Sequence, residues 1–274
     1  MTLKNCNEAI ELSPGSERIQ GLPNIPRDSA RDSSQMSNLQ ILVISLLRSP
    51  GRRAKVVHEL SRIPQSWEFL DAVDGTAFTP SKSEYDKNKV IRLLGFELTK
   101  NEIGCFLSHK KAWLKCVEGN RPTLIFEDDF VINENFGDAL DIVLNKFTSW
   151  DIFRLQALAE SNYTKIAGFG NNKVVINHSD PIGAAAYIVT PNSAKILLDK
   201  SAQIFEPLDH FLEHKQFHGL QVCALVPYPV GVTGDGSTIA DRPARKAVKG
   251  YKKFKRSIFR ILDRLSNANP WFGA

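Results

Sequence analysis

The stretch TLIFEDDFVI, residues 123–132, places three consecutive carboxylates between two apolar segments. The apolar residues before them have the length and composition of a buried β-strand. Successive side chains of a strand point to opposite faces, so Glu127 and Asp129 are predicted on one side and Asp128 on the other. Crowded carboxylates repel one another unless a cation or bound protons neutralise them. Three interpretations follow: a divalent-metal site at the edge of a sheet, a solvated turn, or acids at the start of a following helix that interact with its N-terminal dipole.

Segments with strand and helix character alternate on both sides of this stretch. Short apolar runs that favour β-strands occur at residues 39–46, 67–73, 151–158, 173–177, 184–190 and 221–226. Helical patterns occur at residues 54–62, 99–120, 192–200 and 208–218. Apolar strands that alternate with helices indicate an α/β fold, in which helices cover both faces of one sheet.

The clearest predicted helix lies directly before the quoted stretch, in LTKNEIGCFLSHKKAWLKCVEGN, residues 98–120. Thr99 followed three residues later by Glu102 is a capping box, and Gly119-Asn120 marks the end of the helix. The apolar spacing predicts one buried face, made of Ile103, Phe106, Leu107, Lys110, Trp113, Leu114 and Val117.

Two groups of potential zinc ligands occur, and neither has the spacing of a zinc site. Cys105, His109 and Cys116 are spread over three turns of the predicted helix, so their side chains cannot readily converge on one ion. Small side chains that pack against the sheet explain this stripe better. The stretch DHFLEHKQFH, residues 209–218, has a histidine every four residues but lacks the order HExxH. The sequence has four cysteines and no CxxC motif, so free thiols are expected.

The two ends of the chain differ in composition from its middle. Residues 1–38 are polar and contain three prolines, which predicts a flexible leader. Residues 39–241 hold the alternating strands and helices, and we expect them to form one domain. Residues 242–264 contain ten Lys or Arg and one acid, so the basic character of the chain is concentrated in a tail, residues 242–274.

The basic tail is predicted to form an amphipathic helix that suits an anionic membrane surface. A solvated helix packed on the domain is the alternative, and no nucleic-acid partner is expected because no RNA-binding motif accompanies the charge. No apolar run reaches the roughly 18 residues of a membrane span, and the N-terminus lacks the apolar core of a secretory signal. We therefore expect a cytoplasmic protein that is peripheral on the inner face of the cytoplasmic membrane.

Six stretches in this order resemble glycosyltransferase family 25: ILVISLLRSPGRR, DAVDG, LTKNEIGCFLSHKKAWLKCVE, LIFEDD, GAAAYIVT and EPLDHFLEH. The family includes bacterial lipopolysaccharide or lipooligosaccharide galactosyltransferases and the collagen galactosyltransferases. The resemblance implies a GT-A-like nucleotide-binding sheet and a catalytic domain over residues 39–241. It also implies inverting transfer of a hexose, often galactose from UDP-galactose, onto a saccharide acceptor. A lipid-linked oligosaccharide acceptor would agree with a tail that binds membranes.

The resemblance gives the carboxylate trio a role as the family's metal motif. Glu127 and Asp129 are expected to hold Mn²⁺ or Mg²⁺ against the diphosphate of the nucleotide sugar. Asp128, on the other side of the strand, is expected near the bound nucleotide.

Four further residues are expected at the donor site. Ser45 and Arg48 follow the first strand, and the resemblance favours Arg48 over Arg52 as a phosphate ligand. Asp74 is expected to hydrogen-bond uracil or ribose, although Asp-Gly is also simply a good turn. His109 is expected to point toward the donor.

Asp209, in the sequence Pro207-Leu208-Asp209, is the candidate catalytic base. An inverting displacement needs a carboxylate that accepts the proton of the acceptor hydroxyl as it attacks. Two other functions stay open: a saccharide-binding or adhesion protein that keeps the fold without turnover, and a metal-dependent phosphotransferase that uses the same acids.

Overall fold

The structure is a computed structural model that describes residues 38–77, 79–159 and 161–233. The predicted basic tail, and the predicted leader up to residue 37, lie outside the described residues. The strands are β1 Gln40–Ser45, β2 Glu68–Asp71, β3 Thr123–Glu127, β4 Phe130–Ile132, β5 Ile152–Arg154, β6 Tyr163–Phe169, β7 Asn172–Asn177, β8 Ala186–Val189, β9 Val222–Val226 and β10 Val230–Val232. The helices are α1 Pro50–Leu60, α2 Lys87–Leu94, α3 Lys100–Gly119, α4 Phe136–Asp141, α5 Pro191–Lys200, α6 Leu208–Glu213 and α7 Lys215–His218, with a π-helical turn at Ile142–Lys146.

Eight strands form one mixed sheet in the order β2-β1-β3-β8-β5-β9-β7-β6, and β10 pairs with β4 separately. Strands β2, β1 and β3 run parallel, and β8 runs antiparallel to β3. The register pairs Ser45 with Asp71, and Ile44 with Glu127. The three parallel strands therefore end together, and the polar residues that follow them share one edge of the sheet.

Helices cover both faces of the sheet, as the alternation predicts. Leu42 and Ile44 of β1 pack in one core with residues of α3, whereas Ile41 and Val43 pack in a second core with residues of α1 and α4. This separation follows from the period of a strand, because neighbouring side chains point to opposite faces. The predicted α/β class with a sheet flanked by helices is confirmed. None of the described helices combines the length and the apolar character that a membrane crossing requires.

The capping box of α3 is confirmed. Thr99 accepts a hydrogen bond from the Glu102 backbone, and the Glu102 side chain accepts one from the Thr99 backbone. The predicted buried face is only partly right, because Leu114 is 49% exposed while His109 and Cys116 are fully buried. The stripe that contains His109 and Cys116 thus lies against the sheet, as small side chains there suggest.

A glycine in α3 allows this helix to approach the loop after β2. A Cβ atom at Gly104 would lie 2.8 Å from the carbonyl oxygen of Val73 and 2.8 Å from the backbone nitrogen of Gly75. The Ser108 hydroxyl accepts a hydrogen bond from the Val73 backbone at 2.8 Å. The N-terminal half of α3 is therefore fixed against the loop that carries Asp74.

Several predicted boundaries are wrong for identifiable reasons. Helix α1 begins at Pro50, four residues before the predicted start, because proline is favoured in the first helical turn. The helix predicted at 208–218 is interrupted at His214, whose ψ of 58° is not helical. Strand β6 was not predicted, since its residues are mostly exposed at the edge of the sheet.

Candidate active site

A cleft lies where β1, β2 and β3 end, and it encloses about 670 Å³ including its solvent-filled mouth. Its walls come from the residues after β1, the loop after β2, the buried side of α3 and the turn after β3. All seven residues predicted for donor or metal binding line it: Ser45, Arg48, Asp74, His109, Glu127, Asp128 and Asp129. The catalytic candidate, Asp209, is not among the lining residues. The fold thus brings together groups that are up to 84 positions apart in the sequence.

Glu127, the last residue of β3, faces α3. Its Oε1 lies 3.3 Å from Nε2 of His109 and accepts a hydrogen bond from the Cys105 thiol at 3.6 Å. Its backbone N–H donates to the Ala185 carbonyl at 3.0 Å, which fixes the end of the strand. Burial acts to raise the pKa of the Glu127 carboxyl, but His109, Cys105 and the charge of Arg52 outweigh it, so this pKa lies below its usual range.

Asp128 lies in the turn after β3 and contacts β1 and α1. Its Oδ1 accepts from Nη1 of Arg52, and its Oδ2 accepts from the Ser45 hydroxyl, both at 2.7 Å. Both carboxylate oxygens are therefore engaged by β1 and α1. Asp128 holds the turn after β3 against the first helix.

Asp129 is the member of the trio with an unused acceptor. Its Oδ1 is buried and has no hydrogen-bond partner within the described residues. Burial and the neighbouring charge of Glu127 raise the pKa of this carboxyl to about 7, with Asp128 adding to the effect and Arg52 opposing it. A bound proton, a water molecule or a cation would each stabilise this oxygen.

Arg48 and Asp74 form an ion pair at the rim of the cleft. Arg48 Nε donates to Asp74 Oδ2 at 2.5 Å, and the backbone and hydroxyl of Thr76 donate to Asp74 Oδ1. Hydrogen bonds from Arg48 and then Thr76 hold the pKa of Asp74 well below its usual range. The Arg48 side chain is 56% exposed, so its guanidinium can reach a ligand in the cleft.

His109 is buried, and the Tyr187 hydroxyl fixes the ring nitrogen that faces away from Glu127. Its Nδ1 lies 2.8 Å from the Tyr187 hydroxyl, which also accepts a hydrogen bond from Nε1 of Trp113 at 2.8 Å. The imidazole therefore presents Nε2 to Glu127 and the cleft. His109 lines the cleft, and its role toward a donor stays a prediction.

Asp209 lies in the first turn of α6 and is half-buried. Its Oδ1 accepts from the His210 backbone at 3.0 Å. Burial, and then Glu127, raise the pKa of the Cys105 thiol well above its usual range, and the charge of Asp209 contributes to the same effect. Asp209 is therefore close enough to the cleft to act on Cys105 electrostatically.

Sequence reasoning ranked Arg52 behind Arg48 and assigned no role to Cys105. Arg52 lies in the first turn of α1, and the proline at the start of that helix is the signal that could have placed it there. The Cys105 thiol contacts Glu127 because β3 brings a carboxylate to α3, which no helical spacing reveals.

The histidines of residues 209–218 have separate partners. His210 lies 3.3 Å from Asp180, and His214 lies 2.8 Å from Glu206. His218 is buried against backbone groups of Leu212 and Leu220. Glu213 forms a buried ion pair with Arg154 at 2.9 Å. These contacts support the fold around α6 and α7.

Three known proteins illustrate what the chain resembles. It is 31% identical over 193 residues to the mouse protein named inactive glycosyltransferase 25 family member 3, covering 65% of this chain and 32% of that protein. It is 31% identical over 166 residues to the lipooligosaccharide biosynthesis protein lic2B of Haemophilus influenzae, covering 57% of this chain and 60% of that protein. It is 24% identical over 247 residues to zebrafish procollagen galactosyltransferase 1, covering 77% of this chain and 39% of that protein.

The chain spans about a third of the length of the mouse relative. The model of the family described as "Glycosyltransferase family 25 (LPS biosynthesis protein)" matches residues 38–212, which include β1, α3 and the whole carboxylate trio. The matched segment covers more than half of the sequence and most of the cleft. The chain therefore belongs to glycosyltransferase family 25.

Proposed function

We propose that the chain is a divalent-metal-dependent, inverting glycosyltransferase of GT-A type. It would move a hexose, galactose from UDP-galactose, onto a saccharide of a lipooligosaccharide or lipopolysaccharide. Family membership and the names of lic2B and procollagen galactosyltransferase 1 support this reaction and substrate class. The main support is the buried Oδ1 of Asp129, which has no hydrogen-bond partner among the described residues and lies at the edge where three parallel strands end.

The residues present fit a hard divalent ion. Asp129 supplies an oxygen that no described residue hydrogen-bonds, and Glu127 lies close enough to raise the pKa of Asp129. These two side chains would hold Mn²⁺ or Mg²⁺, which prefer oxygen ligands. When bound, such an ion supplies positive charge for the diphosphate of the leaving UDP.

Charged groups of the chain would orient the donor around this position. Arg52 and Ser45 fix Asp128, so the turn after β3 keeps its shape when a nucleotide enters. Arg48 would leave Asp74 and donate to a phosphate, for which the forked guanidinium is suited. Asp74 would then be available to the ribose or the uracil.

Asp209 would act as the base. A carboxylate on the face opposite the leaving group accepts the proton of the acceptor hydroxyl as that hydroxyl attacks the anomeric carbon. Its position in the first turn of α6, near Cys105 at the cleft, supports this assignment.

A lipid-linked acceptor would place the transfer reaction at a membrane surface. The basic tail, residues 242–274, would attach the protein to anionic lipids on the inner face of the cytoplasmic membrane. Removing residues 243–274 should release the protein from anionic vesicles, whereas equal retention of the shortened chain would rule out attachment through the tail.

A saccharide-binding protein without turnover is the second candidate, because several relatives carry the word inactive in their names. The two candidates differ in acceptor-free turnover. Purified protein incubated with Mn²⁺ and UDP-galactose should slowly release UDP, and the release should stop with a chelator. No release from any UDP-sugar under any divalent ion would favour the binding protein.

A further inference from the structure

A thiol, an imidazole and a carboxylate converge on one wall of the cleft. The sulfur of Cys105, a ring nitrogen of His109 and a carboxylate oxygen of Glu127 all lie within 4.8 Å of one another. Cys105 and His109 are one turn apart on α3, so they share a face of the helix. The third group comes from the end of β3. Cys116 takes no part, since its thiol contacts the carbonyls of Arg121 and Val189 instead.

Two of the three spacings between these donor atoms match the edges of a small metal tetrahedron. Oε1 of Glu127 lies 3.3 Å from Nε2 of His109 and 3.6 Å from Sγ of Cys105. Zinc bonds of about 2.3 Å to sulfur and about 2.0 Å to nitrogen and oxygen, at tetrahedral angles, give edges of about 3.3 to 3.6 Å. The third spacing, between the Cys105 sulfur and a ring nitrogen of His109, is no longer than 4.8 Å.

We propose that Cys105, His109 and Glu127 form a binding site for a thiophilic divalent ion such as Zn²⁺, distinct from the hard-ion position at Asp129. All three residues line the cleft, so the fourth coordination position faces solvent or a bound ligand. Binding replaces the hydrogen of the Cys105 thiol, and that proton passes to the solvent.

The surroundings of His109 suit a ligand histidine. Ligand histidines use one ring nitrogen for the metal and donate a hydrogen bond from the other. The Tyr187 hydroxyl lies 2.8 Å from Nδ1 and can accept its hydrogen, which leaves the lone pair of Nε2 directed at the cleft. The contact of Trp113 with the same hydroxyl fixes Tyr187 in place.

The chemistry of the donors selects the ion. A thiolate and an imidazole favour Zn²⁺, Co²⁺ and similar ions, whereas Mg²⁺ favours oxygen. Glu127 belongs to this site and to the proposed hard-ion site. If the proposed function holds, Zn²⁺ would therefore inhibit transfer by drawing Glu127 toward Cys105.

Cobalt absorption tests the site without any nucleotide sugar, so its outcome is independent of the glycosyltransferase assignment. The full chain is titrated with Co²⁺ after reduction, and the absorption from charge transfer between thiolate and cobalt is followed. One equivalent should produce the band, and Zn²⁺ should remove it. Cys105→Ser and Glu127→Gln should lose the band, while the controls Cys6→Ser and Cys223→Ser should keep it.

No band in the unaltered protein, or a band that survives Cys105→Ser, would overturn the proposal. If Cys105→Ser fails to fold, alkylation of the unaltered protein decides the matter. Zn²⁺ should slow the labelling of Cys105 by iodoacetamide at least tenfold, and a chelator should restore it. Labelling of Cys105 at the same rate with and without Zn²⁺ would overturn the site.

Discussion

Arg52 and Asp128 join the first helix to the turn after β3, because Nη1 of Arg52 donates to Oδ1 of Asp128 at 2.7 Å. The Arg52 side chain is 20% exposed and that of Asp128 is 10% exposed, so water screens this pair only partly. Arg52 also acts on Glu127 and Asp129, where its charge lowers the pKa of each carboxyl. A single cation thus moderates the repulsion within the whole trio.

Replacing that cation should weaken donor binding. In Arg52→Gln the Asp128 carboxylate loses its cationic partner and repels the diphosphate of UDP. The Kd for UDP should therefore rise about tenfold, which corresponds to roughly 1.4 kcal/mol of binding free energy. Calorimetric titration with UDP and Mn²⁺ measures this change. Arg62→Gln is the matched control, because Arg62 pairs with Glu59 at 3.7 Å and is 54% exposed. Equal affinity in Arg52→Gln and the control would contradict the role assigned to Arg52.

The catalytic base can be separated from donor binding. Asp209→Asn keeps the size of the side chain and removes its ability to take a proton, so transfer to an acceptor should fall by about 10² to 10⁴. UDP affinity should stay within about twofold, since Asp209 does not line the cleft. Single-turnover transfer and calorimetry measure the two quantities. A fully active Asp209→Asn would exclude Asp209 as the base.

His218 should make folding stability depend on pH. Burial lowers the pKa of this imidazole from 6.5 to about 4, and its Nδ1 accepts a hydrogen bond from the Leu220 backbone. Between these two values the unfolded chain binds a proton that the folded chain does not. Stability should therefore fall as the pH drops from 6.5 to 4, by up to about 3 kcal/mol.

Urea unfolding at pH 7 and at pH 4.5 measures the contribution of His218. His218→Gln should lose stability at pH 7 but show a smaller further loss on acidification than the unaltered protein. His58→Gln is the control, because His58 is 76% exposed. If the unaltered protein and His218→Gln lose the same free energy of unfolding between the two pH values, His218 does not cause the dependence.

Local chemistry made the centre of the fold predictable. The Thr99 and Glu102 capping box needs only residues three apart, and the buried run before Glu127 needs only the apolar pattern of a strand. The placement of the trio at a sheet edge followed from these two elements together. The expected donor and metal residues line one cleft because most of them lie at or shortly after the ends of the parallel strands, whereas His109 lines it from α3.

The features that the sequence pattern does not predict depend on contacts between elements that are distant in the sequence. Strand β6 is mostly exposed and has no apolar alternation, and it forms through its pairing with β7. The sequence pattern predicts Glu213 as a polar residue of one long helix. In the structure it is buried in an ion pair with Arg154 of β5. The contact of Cys105 with Glu127 likewise joins two elements, α3 and β3. The spacing of Cys105, His109 and Cys116 within α3 does not predict it, because the third donor comes from a strand.

The proposed function requires that Asp129 completes a site for a divalent ion and a nucleoside diphosphate. Isothermal titration of UDP into the unaltered protein and into Asp129→Asn, each with and without Mn²⁺, measures this requirement. UDP should bind the unaltered protein at least tenfold more tightly with Mn²⁺, and Asp129→Asn should lose this gain while it stays folded by circular dichroism. If Mn²⁺ leaves UDP binding unchanged in the unaltered protein, or if Asp129→Asn keeps the full gain, the claim is wrong.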